Sequence, residues 1–333
     1  MELVLRATNL KGGYLLNPAY ASASQHELYV DAVSGVSLDL FRNEIFGIAG
    51  ESGCGKSTFT KIIYGYLEPP LILKDGAVHL YTKEGKVLPI TSLNREQLKR
   101  DVFWKHISYI PQSSMNVLNP TMRIRDHFAE MFKLHANMGK TEAYEEAGKY
   151  LEQVGLPKDV LSAFPHQLSG GMRQRVVISL ALLMRPDLIL ADEPTSALDV
   201  INQQTVLAML KDSQESFKNT VVIVSHDMGV HGVMTHRIAV MYAGRLAEVG
   251  RTEEVFEDPL HPYTQALIRA LPRLGDKSQR KGLSGHPPDL KNPPPGCRFS
   301  LRCPFSEQQC KEETPTLREV KPGRYVECWQ YST

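Results

Sequence analysis

The sequence has almost no excess of charge of either sign: 38 Lys and Arg stand against 37 Asp and Glu, a formal net charge of +1. A cationic surface for nucleic acid and an acidic tail both need an imbalance, so neither is supported, and no nucleic acid is expected as a partner. Long apolar runs are missing too. The longest notable one, residues 176–184, is shorter than a bilayer crossing and is bracketed by Arg175 and Arg185. The opening Met-Glu-Leu-Val-Leu-Arg lacks the basic-then-apolar layout of a secretory signal. A cytoplasmic chain is expected, with any membrane role supplied through partner subunits. Five cysteines in 333 residues are too few for a disulfide scaffold. No internal repeat is evident.

What is present suffices for a substantial core, since 42% of the residues are hydrophobic. Apolar positions alternate over 28–40 (Val33, Val36, Leu38, Leu40), which predicts a half-exposed strand. Residues 45–49 predict a short buried strand running into a glycine loop, with a helix from Lys56 onward. Further on, a helix is expected at 94–100 and a strand at 106–110. A helix at 141–154 takes Thr141 as its N-cap and stops at Gly155-Leu156-Pro157. Residues 113–166 are expected to form a mostly helical insertion, followed by a buried helix at 176–184. The continuous apolar runs 188–191 and 221–224 suit a parallel sheet covered on both faces. Residues 237–242 and 245–249, joined by Ala243-Gly244, predict a hairpin. From Pro259 the composition shifts: 11 of the 21 prolines lie there, and 277–295 has the Pro, Gly, Ser and Lys content of an extended linker.

Gly50, Glu51, Ser52, Gly53, Cys54, Gly55, Lys56, Ser57 and Thr58 fit the phosphate-loop pattern in its required strand–loop–helix context. The glycines let successive backbone N–H groups turn toward the β- and γ-phosphates of ATP. Lys56 adds a mobile positive charge, and the Ser57 hydroxyl suits Mg²⁺, a hard cation. Asp192 and Glu193 follow the 188–191 strand; Asp192 is positioned to hold Mg²⁺ through water and Glu193 to polarise the attacking water as general base. Ser169, Gly170 and Gly171 open a helix whose free N–H groups favour an anion. One chain thus carries two phosphate-binding helix ends.

With Leu168-Ser-Gly-Gly-Met-Arg-Gln-Arg175 between the phosphate loop and Asp192-Glu193, the chain resembles the nucleotide-binding subunit of an ATP-binding-cassette (ABC) transporter. The resemblance implies an α/β fold: a RecA-like P-loop ABC ATPase core with an antiparallel β subdomain, a helical subdomain near 113–170 within a nucleotide-binding domain at 1–258, and a C-terminal extension at 259–333. It implies that each ATP is clamped between one subunit's phosphate loop and the Ser169–Gly171 motif of a second ATPase subunit, identical or paralogous. Gln112, after Tyr109-Ile-Pro, matches the family's glutamine loop, which contacts Mg²⁺ or the attacking water. His226, in Ser225-His-Asp227, matches the switch histidine that stabilises the transition state. Asp199, in Ser196-Ala-Leu-Asp199, joins the ATP site. Adenine needs an aromatic platform; Tyr29 is the first candidate, with Tyr20 and Tyr14 behind it.

The segments Pro259-Leu-His-Pro-Tyr-Thr-Gln-Ala-Leu267, Gly285-His-Pro-Pro-Asp289 and Pro294-Pro-Gly-Cys-Arg-Phe-Ser-Leu-Arg-Cys-Pro304, with Cys310 and the upstream Leu118-Asn-Pro120, are similar to the dipeptide and oligopeptide importer ATPases. That narrower resemblance implies a peripheral subunit on the cytoplasmic face of the membrane, working with two permease subunits and, indirectly, a solute-binding protein to import peptides. Relatives that carry nickel, glutathione or oligosaccharides keep those cargoes open. A non-transport ABC ATPase is a weaker alternative, since the chain has one cassette and no long coiled-coil insertion. Cys297, Cys303, Cys310 and Cys328 are separated by five, six and seventeen residues, without the Cys-x₂-Cys knuckle usual for structural zinc. Thiolate cages for a [4Fe–4S] cluster tolerate wider spacing, and the family resemblance implies such a cluster. Zinc and free thiols remain as alternatives.

Overall fold

The computed structural model describes residues 2–16, 29–112, 117–196, 198–271 and 283–331. Strands β1 (Leu3–Leu15) and β2 (Tyr29–Phe41) pair antiparallel. The next strand, β3 (Ile45–Ala49), feeds helix α1 (Lys56–Tyr64). β4 (Leu71–Tyr81), β5 (Val87–Pro89), α2 (Arg95–Asp101) and β6 (Ile107–Ile110) follow. Helices α3 (Ile124–Ala136), α4 (Lys140–Gln153) and α5 (Gly170–Leu182) come next. They precede β7 (Leu188–Asp192), α6 (Val200–Phe217), β8 (Thr220–Ser225) and α7 (Met228–Met234). β9 (Arg237–Tyr242), β10 (Arg245–Arg251), α8 (Thr252–Glu257) and α9 (Pro262–Arg269) lead into the tail. The tail carries α10 (Gln308–Glu312), β11 (Arg318–Lys321) and β12 (Arg324–Val326).

Among the described residues there are two sheets, one antiparallel in the order β2-β1-β4-β5 and one mixed in the order β11-β12-β10-β9-β3-β8-β7-β6. In the second, β9, β3, β8, β7 and β6 are parallel neighbours. The period-2 alternation of a strand splits their side chains between two apolar layers. Phe46, Ile48, Leu188, Leu190, Val222 and Val224 face Phe59 and Ile62 of α1 and the antiparallel sheet. Ile45, Ile189, Ile223 and Ala191 face Ile178, Val206 and Leu210 of α5 and α6. A third layer, with Phe128, Phe132, Leu151 and Val176, holds α3, α4 and α5 together.

The predicted strands and the Ala243-Gly244 hairpin appear where the pattern placed them; both turn residues have positive φ (47° and 85°), as a tight primed hairpin turn requires. Three expectations change. Thr141 is not the cap of α4, which starts one residue earlier behind Gly139 with no side-chain cap bond. The helix expected to open at Ser169–Gly171 and the buried helix expected at 176–184 are one element, α5, which Ser169 caps by accepting from the Met172 N–H at 3.3 Å. The tail also shares the main sheet, since β12 pairs antiparallel with β10, although Pro and Gly density predicted little core there.

A buried ion pair welds this junction. Arg324, with 2% of its side chain exposed, donates from Nη2 to Glu248 Oε1 at 2.6 Å and from Nε to the same oxygen at 3.1 Å. Glu248, wholly buried, also accepts the backbone N–H groups of Leu260 and His261. Four N–H donors thus converge on this carboxylate, which is what makes a buried charge tolerable. Arg324→Met would leave that carboxylate unpaired and should lower the unfolding free energy by about 3–5 kcal/mol, read as a drop in the urea midpoint.

Two buried histidines tie stability to acidity. Burial holds the His261 and His231 rings neutral, down to about 4 for each. His261 Nδ1 accepts the Tyr263 N–H at 3.0 Å, so a proton on that nitrogen would face a donor. In the unfolded chain both rings take up protons near their ordinary value of about 6.5, which the folded state does not. The unfolded state therefore binds more protons between those values, and stability is lost as pH falls from about 6.5 toward 4. Urea midpoints measured across that window should fall with acidity, and the fall should be shallower in His231→Gln.

Candidate functional site

Parallel strands deliver their following loops to one edge, and here the candidate residues lie at the carboxyl ends of adjacent strands: the phosphate loop after β3, Ser225-His226 at the end of β8, Asp192-Glu193 at the end of β7 and Gln112 after β6. The phosphate loop closes tightly on its neighbours. A Cβ at Gly50 would lie 2.2 Å from the Met241 carbonyl oxygen, and one at Gly55, whose φ is 104°, would lie 2.1 Å from that of Ala32. Only glycine fits either place. Lys56 Nζ donates to the carbonyls of Gly50 (2.8 Å) and Glu51 (2.9 Å), and Cys54, buried beside it at 3.8 Å, has its thiol pushed up by burial.

Opposite the loop, Ser57 Oγ donates to Asp192 Oδ1 at 2.9 Å, and the Tyr109 hydroxyl donates to Asp192 Oδ2 at 3.0 Å. Burial raises the Asp192 carboxyl while these two bonds pull it back. Tyr109 is in turn stacked on Tyr64 (centroids 5.2 Å apart), itself stacked on Phe103 at 4.4 Å. A hydroxyl and a carboxylate at this distance form an oxygen-rich pair of the kind a hard cation takes. The sequence names Tyr109 only as the first residue of the Tyr-Ile-Pro-Gln pattern and gives it no role of its own.

Glu193 is held from two sides. Gln112 Nε2 donates to its Oε2 at 3.2 Å, and His226 Nδ1 lies 3.0 Å from its Oε1. A carboxylate only accepts, so that contact puts the His226 proton on Nδ1. Glu193 has a φ of 48°, an uncommon backbone state for a side chain with a Cβ, and its N–H is fixed to the Val224 carbonyl at 2.9 Å. Gln174 Nε2 donates to the Pro194 carbonyl at 2.8 Å and so ties α5 to the turn after Glu193.

Ser169, Gly170 and Gly171 form the N-terminal turn of α5, but they meet Met172 and Asn202 rather than the phosphate loop of their own chain. A Cβ at Gly171 would lie 2.2 Å from Asn202 Oδ1. Asp199 caps α6 by accepting the Asn202 N–H at 3.0 Å and also holds Asn202 Nδ2 at 2.7 Å. Gly171 therefore has a packing reason for lacking a side chain, independent of any phosphate.

The adenine platform is where the sequence reading fares worst. Tyr29 is 9% exposed and its ring is covered by Lys74, whose Nζ stands 3.2 Å from the centroid. It offers no free face for a base. Tyr14 bonds the Thr58 hydroxyl at 3.1 Å and is the candidate that reaches the phosphate-loop helix. Tyr20 lies outside the described residues.

Cys297, Cys303, Cys310 and Cys328 line one cavity of about 110 Å³ with His261, Phe299 and Trp329. None of the four is in a disulfide. Burial pushes Cys297 up to about 12, and raises Cys303 and Cys328. Among the described residues, no three His, Cys, Asp or Glu side chains are gathered tightly enough to hold one metal ion.

Comparison with known proteins agrees with this layout. The ABC transporter family matches residues 33–196, and the oligopeptide/dipeptide transporter C-terminal region matches 247–310. The dipeptide transport ATP-binding protein DppD of Bacillus subtilis (strain 168) is 39% identical, over 99% of this chain and 95% of its own length. The oligopeptide transport ATP-binding protein OppD of Escherichia coli (strain K12) is 38% identical, over 90% of this chain and 88% of its own. The dimeric structure of the bacterial ABC transporter cassette MJ0796 superposes with a TM-score of 0.62 at 27% identity, over 74% of this chain and 98% of that one. A nearly full-length match at this identity, on a fold whose strand ends carry the phosphate loop and the Asp-Glu pair, shows that the chain belongs to the ABC transporter ATP-binding subunits, in the branch that holds the dipeptide and oligopeptide transport ATPases.

Proposed function

We propose that this ABC ATPase powers the import of di- or oligopeptides, as the peripheral cytoplasmic-face subunit of an assembly with a second cassette, two permease subunits and a solute-binding protein. The names of its relatives and the match of residues 247–310 to the transporter C-terminal region favour a peptide over nickel or an oligosaccharide. No helix among the described residues is long and apolar enough to cross a membrane, so contact with the bilayer would run through the permeases. We take residues 1–258 as the nucleotide-binding domain, with the helices near 113–170 as its helical subdomain, and 259–333 as the extension.

The observation that carries the catalytic reading is Glu193, bracketed by Gln112 and His226 at the strand edge that faces the phosphate loop. In this reading the loop from Gly50 to Thr58 cradles the phosphates, and Lys56 leaves its carbonyl partners to neutralise them. Mg²⁺, held by Ser57 and Asp192 with Gln112 beside them, would neutralise charge on the β- and γ-phosphates. Glu193 accepts the proton of the attacking water, oriented by the Gln112 amide, and the His226 Nδ1–H, released from Glu193, donates to a phosphate oxygen as charge develops. Ser169, Gly170 and Gly171, turned away from their own loop, would complete the site of a second subunit, with Asp199 at the same junction. Tyr14 replaces Tyr29 as the adenine platform, because the Tyr29 ring is already covered.

Reconstituted in vesicles with its partner subunits, the wild-type chain should couple ATP hydrolysis to uptake of a labelled peptide. Glu193→Gln should lower kcat by at least about a hundredfold while ATP still binds, because the amide keeps the shape but cannot take a proton. Hydrolysis retained in that variant would overturn the base. Hydrolysis coupled to nickel or oligosaccharide uptake instead of peptide would move the cargo and leave the chemistry standing.

The cysteine cavity is read as a [4Fe–4S] site held by Cys297, Cys303, Cys310 and Cys328. The four cysteines line one cavity, and the absence of a Cys-x₂-Cys knuckle, usual for structural zinc, favours a multi-iron core over zinc. When bound, such a cluster would supply cross-links within a short, proline-rich segment. Anaerobically purified protein should contain about four irons per chain, and Cys303→Ser should release them. One zinc per chain would transfer the site to zinc, and metal-free protein with four titratable thiols would remove the metal altogether.

A further inference from the structure

The phosphate loop is gripped from outside its own fold element, by residues of the tail some 250 positions away in sequence. Arg302 Nη1 donates to Glu51 Oε2 at 2.8 Å and Nη2 to Glu51 Oε1 at 3.0 Å, a bidentate pair. The guanidinium is 4% exposed, donates also to the Tyr242 hydroxyl at 3.2 Å, and is anchored through Nε to the Ser284 carbonyl at 3.0 Å. Tyr263, fully buried, accepts the Glu51 N–H through its hydroxyl at 3.0 Å. The Glu51 carbonyl is one of the two acceptors that hold Lys56. At the other end of the loop, Arg298 Nη1 donates to the Ala243 carbonyl at 2.9 Å, and the next residue, Gly244, donates its N–H to the Cys54 carbonyl at 2.8 Å. Phe299, between the two arginines, packs its ring against Tyr242 and Tyr263 at 5.1 and 5.5 Å.

From these contacts we infer that Arg302 is a positioning residue for ATP binding: it neutralises and fixes the Glu51 carboxylate, making the C-terminal extension part of the nucleotide site. The physical reason is charge. Glu51 sits inside a loop that binds a polyanion, and an unpaired carboxylate there would repel the phosphates and be free to swing into their space. Arg302 removes both effects with one rigid fork, and Lys, a point charge, reproduces only the neutralisation. The inference rests on the proposal that residues 50–58 hold the triphosphate.

The test is a double-mutant cycle on the full-length chain, reading ATP affinity, KM and kcat. Arg302→Met should raise the ATP Kd and KM about tenfold and leave kcat within about twofold, and the affinity penalty should shrink as added salt screens the unmasked repulsion. In a Glu51→Gln background the same Arg302→Met change should cost less than about twofold, because no carboxylate remains to be neutralised. Arg302→Lys should recover part of the loss, and it keeps the test open if Arg302→Met does not fold. An equal penalty in both backgrounds, or a fall in kcat with KM unmoved, would overturn the inference. Lys56→Ala read in the same assay separates the two levels: undiminished ATP binding there would remove the phosphate-loop proposal itself, whereas a defective Lys56→Ala beside a normal Arg302→Met removes only the clamp.

Discussion

The register of the parallel strands β3, β8, β7 and β6 is the constraint from which the rest follows. Each strand is buried on both faces, so none can slip by one residue without exchanging its two apolar layers. Fixed register brings the four carboxyl ends to one edge, and with them the loop from Gly50, Asp192-Glu193, His226 and Gln112. The hydrogen bonds that follow, from Ser57 and Tyr109 to Asp192 and from Gln112 to Glu193, need no further organising principle than adjacency of strands. Even the strained backbone of Glu193 is paid for here, by a bond from its N–H to the neighbouring strand.

Local structural duty and proposed chemical duty coincide in several residues. Ser169 caps its own helix, Gly171 makes room for Asn202, and Asp199 caps α6. A substitution at any of them would disturb the contact between α5 and α6 as well as the site proposed for a second subunit, so loss of activity alone would not distinguish the two roles. Glu193 is different, because Gln at that position keeps the size and the capacity to bond while removing the basicity.

The tail changes the meaning of the cassette boundary. β12 extends the main sheet through β10, Arg324 and Glu248 form a fully buried pair across that seam, and Arg302 and Tyr263 reach the phosphate loop. A segment rich in proline and poor in apolar residues gains its order by borrowing the core of the cassette: Phe299 joins Tyr242, Tyr263 and Val240 in one buried cluster. The cysteine cavity hangs from the same scaffold, with Cys303 next in sequence to the arginine that holds Glu51.

The sequence by itself determined the elements whose signal is local. Continuous apolar runs read as β7 and β8, Ala243-Gly244 as the hairpin turn, and the strand–glycine–helix succession as a phosphate loop, because a backbone needing positive φ or close approach admits few residues. It also named Lys56, Asp192, Glu193, Gln112 and His226, which the fold brings to one edge of the sheet. What only the tertiary structure decided depends on contacts between distant residues. The cover of Lys74 over Tyr29 spans 45 positions, the bond from Tyr109 to Asp192 spans 83, and the grip of Arg302 on Glu51 spans 251. Side-chain charge and aromatic surface are written in the sequence, but the partner that uses them is chosen by packing, and periodicity within a window of ten or twenty residues carries no record of that choice.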